Sequence, residues 1–273
     1  MAPDYHRQII DRPPYIPSKG QVGIFPEKLW QESEEKLVGL RILSQRKLFG
    51  LIYLSLNNSF LRNRSKDSGC MVGRFIDSYK IDSSIRFPGD IDLLILPYQR
   101  GEFILSRVMA IELKVVRAEY KKQGKSPNQY GFSQASAMRS LGFPYVSVIH
   151  AITSDDSPKV HWEEADLFKK KGSEFIYEST TKVDMMPSSL IERCFGRLEA
   201  NSPDPSLGLV SSYLREGFTR DPIGKEASWN PNYSKSLLDK VYTYYFSNYL
   251  SFMDIAWYDD YAQTLIEEQG SGV

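Results

Sequence analysis

The sequence has little cysteine and little histidine. Cys70 and Cys194 are its two cysteines, and its three histidines are His6, His150 and His161. Two thiols are too few for a disulfide framework or a thiolate zinc site, and the histidines lack the spacing of metal ligands. These shortages argue against zinc enzymes and against nucleases built on histidine motifs.

An excess of charge of one sign is also missing. The chain has 34 basic and 34 acidic residues and a formal net charge of zero. A protein that held nucleic acid by bulk charge would be basic, so any nucleic-acid contact must come from local patches.

Long apolar runs are absent too. No apolar signal core begins the sequence, and no stretch is long enough to span a membrane. We therefore expect a soluble, cytoplasmic protein without a membrane partner. A chain of 273 residues with 41% hydrophobic content fits one decorated domain better than two independent ones.

Two apolar segments stand out from this background, at residues 87–96 and 108–116. Their apolar runs are too short and too rich in β-branched residues for helices, so both are predicted to be buried strands. Each carries charged side chains on one face of its strand, because side chains alternate along a strand. These are Asp90 and Asp92 in the first segment and Glu112 and Lys114 in the second.

A hairpin closed by residues 97–101 would bring these charged faces together. Isolated carboxylates in an apolar sheet cost several kcal/mol each unless a cation or hydrogen bonds compensate them. A divalent metal ion is the simplest compensation. The alternative is that the Glu-x-Lys sequence lies on the solvated face of an amphipathic strand.

The spacing of these residues resembles a known signature. Asp92 followed by Glu112-Leu113-Lys114, with a separation of 112 − 92 = 20, is similar to the PD-(D/E)XK motif of metal-dependent nucleases. The resemblance covers roughly residues 30 to 152. Asp90 and Asp92 are alternative ligands. We favour Asp92, because the apolar residues that follow it place it at the start of the buried strand.

The resemblance implies an α/β fold with a restriction-endonuclease-like core, a mixed central sheet flanked by helices. We assign this core to residues 27–153, after an extended N-terminal arm at 1–26. A mainly helical C-terminal region, 154–273, is expected to pack on the core. Within it we predict peripheral elements at 160–168 and 175–178, and helices near 188–198 and over 233–261.

Caps and periodicity independently predict a strand, strand, helix, strand order in the core. The helix is expected to begin at Ser126, with Pro127 at its first helical position, and to end at Gly142. A strand over 145–152 follows. Its His150 is interpreted as an interior histidine with satisfied hydrogen bonds.

Further site residues follow from the resemblance. Related nucleases place a glutamate of the first helix toward the metal, and Glu34, in a helix predicted from Glu27 to about Phe49, resembles it. Gln134 resembles the glutamine of an exonuclease branch whose motif is Gln-x-x-x-Tyr, although Met138 takes the tyrosine position. The basic loop after the second strand is expected near the scissile phosphate, with Arg117, Lys121, Lys122 and Lys125 as nucleic-acid contacts.

The resemblance thus implies a Mg²⁺- or Mn²⁺-dependent endonuclease acting on DNA. Asp92, Glu112 and the Leu113 carbonyl would hold the metal, with Asp90 either an alternative ligand or placed behind the ligands. Lys114 would position or deprotonate the attacking water. Two alternatives stay open: a non-cleaving nucleic-acid-binding or assembly protein on the same scaffold, and a nuclease directed at RNA. Three aromatic residues of the last helix allow core burial, a homodimer interface or stacking on bases: Tyr242, Tyr244 and Phe246.

Overall fold

The computed structural model describes residues 7–9, 34–61, 68–85, 89–124, 127, 130–214 and 221–256, the first three by backbone alone. Eleven strands are found in these ranges. They are β1 (Arg7–Ile9), β2 (Ser68–Asp77), β3 (Asp90–Gln99), β4 (Glu102–Ile104), β5 (Met109–Ala118), β6 (Tyr145–Ser154), β7 (Glu163–Lys171), β8 (Glu174–Val183), β9 (Gly208–Tyr213), β10 (Ile223–Lys225) and β11 (Phe252–Ala256).

Six α-helices accompany the strands. They are α1 (Glu34–Ser44), α2 (Arg46–Leu61), α3 (Ser78–Ile81), α4 (Phe132–Leu141), α5 (Met186–Ala200) and α6 (Lys235–Ser247). None of the helices in the described part of the chain has both the length and the apolarity needed to cross a membrane.

A mixed sheet of nine strands forms the centre of the molecule. Its main path runs β1-β4-β3-β5-β6-β9-β10, and β2 joins β3 while β11 joins β2. β5, β6 and β9 are parallel to one another, and the remaining pairings of this sheet are antiparallel. The predicted α/β class with a mixed, helix-flanked sheet is therefore confirmed.

Helices cover both faces of this sheet. On β3, Leu93 and Ile95 pack into a core with side chains of α1 and α2. Leu94 and Leu96 point to the opposite face, where they pack with side chains of α4 and α6. The two cores follow from the alternation of side chains along a strand whose two faces are both buried.

The predicted hairpin is present, with one addition. β3 runs through Pro97 to Gln99, and the chain turns at Arg100 and Gly101, whose φ angles are 53° and 77°. Two consecutive positive φ values are what a two-residue hairpin turn of the mirror-image type requires. The return segment is first β4 and then β5, both antiparallel to β3.

The expectation of a mainly helical C-terminal region is wrong. β9 extends the central sheet beside β6, and β11 pairs with β2. The helix predicted over 233–261 ends at Ser247, and residues 252–256 form β11 instead. Apolar residues at helical spacing did not reveal this change, because backbone pairing with β2 determines the conformation there.

Two observed helices differ from the predicted ones, one in its continuity and one in its first residue. The first helical region is broken at Gln45 into α1 and α2. α4 starts at Phe132, not at Ser126, which lies outside the described residues, and Pro127 is not helical. Gly131, with φ of 85°, is in the left-handed region immediately before this helix.

The N-terminal arm is only partly described. Residues 7–9 form a short strand that pairs with β4. The other residues of the predicted arm lie outside the described ranges.

Candidate active site

The charged residues of β3 and β5 meet where these two strands stop pairing. The ladder between them ends at the pair Leu93 and Ile111, and continuing its register would place Asp92 opposite Glu112. Directly opposed residues have Cβ atoms about 5 Å apart and share one face. The structure therefore brings together the two carboxylates that the strand pattern predicted to converge.

The Asp92 side chain accepts the hydrogen bond that the Leu113 N–H would give to the β3 backbone if the ladder continued. Its Oδ2 accepts a hydrogen bond from the Leu113 N–H at 2.7 Å, at the point where the β3–β5 ladder has ended. Burial and the neighbouring Glu112 carboxylate raise the pKa of Asp92 to about 8, against the opposing effects of the Leu113 N–H and of Lys114. Without a cation, the carboxylate is therefore costly to ionise.

Glu112 is the most enclosed charged residue of the site, with a relative exposure of 0%. Its Oε1 lies 2.7 Å from Lys114 Nζ, in an ion pair between two neighbouring residues of the same strand face. Burial raises the pKa of Glu112, although its interaction with Lys114 lowers it. A buried carboxylate next to a second acid is suited to coordinating a hard cation.

The donor set fits magnesium better than a cation that needs many protein ligands. Asp92 and Glu112 supply hard oxygen donors. In the described ranges, no cluster of three or more His, Cys, Asp and Glu side chains is placed to hold a metal. Magnesium retains several waters and is often bound by one or two carboxylates together with substrate phosphate. Two buried carboxylates are compatible with that mode of binding.

Lys114 joins this acidic pair to helix α1. Its ammonium lies 2.7 Å from Glu112 Oε1 and 3.3 Å from Glu35 Oε1. Burial opposes the charged form, but the ion pair with Glu112 and the field of Glu35 outweigh burial and raise the pKa of Lys114. Lys114 is therefore protonated at neutral pH, and its ammonium is fixed between Glu112 and Glu35.

The acid of α1 that reaches the cluster is Glu35, whereas sequence analysis selected Glu34. Glu34 forms an ion pair with Arg117 at the end of β5. The buried side of α1 carries Val38 and Ile42, three and seven positions after Glu35. That apolar spacing was the signal for Glu35, because residues separated by three and seven positions share one helix face.

Gln134 and Asp90 lie at the turn that leads into β3. A Cβ atom on Gly89 would lie 2.3 Å from Gln134 Nε2, so the amide is held against the backbone just before Asp90. Asp90 is half-buried and pairs across the sheet with Asp77 of β2, not with β5. The structure thus places Gln134 beside this turn, and Asp92 opposite Glu112.

Phe75 is a feature of the site that sequence analysis missed. It lies on β2 between the pairs that flank Asp92, and its φ is 46°, an unusual value for a residue with a side chain. A Cβ atom on Gly39 of α1 would lie 2.6 Å from the Phe75 ring. The unusual backbone angle therefore occurs where α1 packs over the sheet beside the site. No sequence signal marks such a position.

His150 is confirmed as an interior residue. It is fully buried on β6, where it pairs across the sheet with Lys114 of β5. Its Nε2 lies 3.1 Å from the Tyr130 carbonyl and its Nδ1 lies 3.6 Å from Cys194 Sγ. Burial lowers the pKa of His150 to about 4, so it is neutral at physiological pH.

The basic loop after β5 is only partly available for contacts. Arg117 is engaged by Glu34, although much of its side chain is exposed. Lys121 and Lys122 are exposed in the turn that follows the strand. Lys125, the fourth predicted contact, lies outside the described residues.

Gly131 packs against the site, and this contact gives a prediction. A Cβ atom on Gly131 would lie 2.7 Å from Glu112 Cγ, and its φ of 85° disfavours any side chain. We expect Gly131→Ala to lower the free energy of unfolding by about 1 to 3 kcal/mol and to displace Glu112. Denaturant unfolding and metal-dependent melting shifts would measure both effects.

Gly101→Ala is the matched control for this substitution. Gly101 has a φ of 77°, but a Cβ atom there would meet nothing within 4 Å. Its alanine variant should carry the backbone cost and leave the metal response unchanged. An equal metal response in both variants would contradict the importance of the contact between Gly131 and Glu112.

Comparisons with known proteins yield no relative. The chain matches no protein-family model, no curated protein and no solved structure.

Proposed function

We propose that this chain is a magnesium-dependent nuclease of the PD-(D/E)XK type that hydrolyses phosphodiester bonds in DNA, as an endonuclease. The observation that carries the proposal is the buried pair Asp92 and Glu112, with the Lys114 ammonium 2.7 Å from Glu112 Oε1. An acidic pair in a buried sheet destabilises the protein unless it has a cation to hold.

Asp92 and Glu112 would hold the cation, and the Leu113 carbonyl belongs to the proposed ligand set. Bound there, a divalent cation would lower the pKa of an attacking water and neutralise charge on the phosphate oxygens. The two carboxylates provide the negative field that attracts the cation. Because the Leu113 N–H fixes Asp92, one ligand is oriented before the cation arrives.

Lys114 has a separate task in this proposal. Its ammonium is held by Glu112 on one side and Glu35 on the other, so its position is determined before substrate binds. A compact point charge at this place would orient the attacking water and stabilise the additional negative charge of the pentavalent phosphorus. Glu35 acts as a positioning residue, because its contact is with Lys114.

Substrate would approach from the loop after β5. Lys121 and Lys122 are exposed there, at the end of the strand that carries Glu112. The neutral chain has no bulk attraction for nucleic acid, so such local cations must supply the phosphate contacts.

One observation favours a second candidate, a nucleic-acid-binding or assembly protein that does not cleave. Lys114 bridges Glu112 and Glu35 directly, at 2.7 Å and 3.3 Å. This arrangement would also serve as a structural ion pair that fixes α1 to the sheet.

A substrate panel tests the proposal. Purified protein is incubated with supercoiled plasmid, linear duplex, single-stranded DNA and RNA, with magnesium, manganese or EDTA. We expect metal-dependent conversion of plasmid to nicked and linear forms, and none in EDTA. Glu112→Gln removes one ligand while keeping the shape of the side chain, so it is the control for contaminating nucleases. Cleavage of RNA alone would identify an RNA-directed nuclease in place of a DNA endonuclease. Absence of both cleavage and metal binding would favour the second candidate.

A further inference from the structure

Strands β7 and β8 form a hairpin, which is a two-stranded sheet separate from the central one. This hairpin is called the arm below and is distinct from the N-terminal arm of residues 1–26. Nearly all of its side chains are exposed, including Phe168, Phe175 and Tyr177 at 55%, 69% and 55%. Large apolar side chains clustered in solvent mark an interaction surface. An isolated two-stranded hairpin is itself marginally stable, so a binding role explains these residues better than folding does.

The aromatic residues of the arm are interleaved with lysines. Phe168 pairs across the strands with Tyr177, with ring centroids 6.0 Å apart in an edge-to-face arrangement. The neighbouring pair on the same face is Lys170 with Phe175. One face thus presents aromatic rings beside an ammonium group.

Charge is distributed unevenly along the arm. Its distal half, 168–177, contains Lys169, Lys170 and Lys171 against Glu174 alone, a net charge of 3 − 1 = +2. The half near the body contains acids at 163, 164, 166 and 178 against one lysine at 182, a net charge of 1 − 4 = −3. The lysines therefore lie where the arm projects, in a chain that is neutral overall.

The root of the arm is fixed to the body of the protein. Asp184, which is buried, accepts hydrogen bonds from Ser157 Oγ at 2.7 Å and from the Met186 N–H at 3.0 Å. These bonds join the two ends of the arm to the start of α5. His161 stacks on Tyr120 of the loop after β5, with centroids 5.5 Å apart.

The root of the arm lies at the end of the central sheet where β5, the strand that carries Glu112 and Lys114, also ends. β5 and β6 are parallel and paired from Lys114 and His150 to Ala118 and Ser154. Four residues of strand span about 13 Å, and strands as long as β7 and β8 reach about 30 Å. The arm thus starts within the footprint of a duplex bound at the proposed site.

We propose that the arm is a second nucleic-acid contact, whose lysines bind backbone phosphates and whose aromatic face packs on sugars or bases of the same molecule. The inference rests on the proposed function for its choice of substrate. A polyanion with planar bases complements a surface of adjacent ammonium groups and aromatic rings.

The test compares two double variants. Lys169→Gln with Lys170→Gln removes two cations of the arm, while Lys171 is kept because it pairs with Glu174. Lys80→Gln with Lys235→Gln removes two exposed lysines outside the arm and is the matched control. Binding of a labelled duplex of about 40 base pairs is measured by fluorescence anisotropy in EDTA over a range of salt concentrations.

We expect the arm variant to bind several-fold more weakly and its log–log salt slope to fall by about one to two units, with the control unchanged. Phe175→Ser should weaken binding with little change in slope, because it removes packing and no charge. Circular dichroism should show all variants folded, since these side chains lie in solvent.

Binding in EDTA separates this inference from the nuclease proposal. Arm-dependent binding by a protein that never cleaves would support the arm and refute the nuclease. Unchanged affinity and slope in the arm variants would overturn the arm even if cleavage is metal-dependent. A dimer that Phe175→Ser dissociates, with DNA affinity intact, would also overturn it and identify the arm as a subunit contact.

Discussion

Replacing Lys114 by methionine is expected to reduce cleavage by about two orders of magnitude or more while metal binding persists. Methionine keeps an unbranched apolar side chain of similar length and removes the ammonium that lies 2.7 Å from Glu112 Oε1. The loss should therefore fall on the reaction and not on the ligands. Single-turnover cleavage and the magnesium-dependent rise in melting temperature measure the two effects separately.

Glu112→Gln completes this comparison. The amide keeps the shape of a fully buried side chain but offers a metal one neutral oxygen in place of a carboxylate. Both cleavage and the metal-dependent rise in melting temperature should disappear. Lys80→Met, at an exposed position of α3, controls for the loss of a positive charge. If wild-type protein shows no metal-dependent shift, Glu112 and Lys114 form a structural ion pair and the nuclease proposal fails.

The second large effect is on stability in EDTA, where Asp92→Asn should be more stable than wild type at about pH 8. The pKa of Asp92 is raised to about 8 by burial and by the Glu112 carboxylate. A raised pKa means that the folded state holds the proton more tightly than the unfolded state. This stabilising contribution is complete below the unfolded pKa of about 4 and is lost as the pH rises through the folded value.

The size and pH dependence of this effect can be measured by thermal unfolding. Asparagine cannot ionise, and its side-chain oxygen can still accept the Leu113 N–H. We expect a melting temperature roughly 5 °C or more above that of wild type near pH 8, falling toward equality near pH 4. Saturating magnesium should stabilise wild type and not the variant. A variant less stable than wild type throughout would mean that the Asp92 carboxylate mainly fixes the backbone.

The central part of the site could be predicted because strands have a strict period of two. Once residues 87–96 and 108–116 are assigned as strands, Asp92, Glu112 and Lys114 have determined faces, and a hairpin brings those faces together. The acid on α1 was harder to predict. Each helical residue rotates the side chain by about 100°, so choosing between Glu34 and Glu35 depends on which helix face is buried. The signal was the apolar spacing of Val38 and Ile42, which share a face with Glu35.

The C-terminal strands escaped prediction for a different reason. β9 contains Ser211 and Ser212, both fully buried, so its composition does not resemble that of an interior strand. β11 begins a few residues after α6 and contains Asp254, which accepts a hydrogen bond from the Tyr98 hydroxyl at 2.6 Å. Both strands are specified by long-range partners, which local patterns do not encode.

The pairing of β11 with β2 also sets an order of events during synthesis. β2 flanks the strand that carries Asp92, yet its other edge is paired by residues 252–256. A ribosome that has released residue 150 has supplied Asp92, Glu112 and Lys114 but neither β9 nor β11. The nascent chain therefore exposes the edges of β2 and β6 until roughly another hundred residues emerge, which takes about 5 to 20 s at typical elongation rates. Folding of this sheet should therefore be slow, as expected for strands paired across most of the chain.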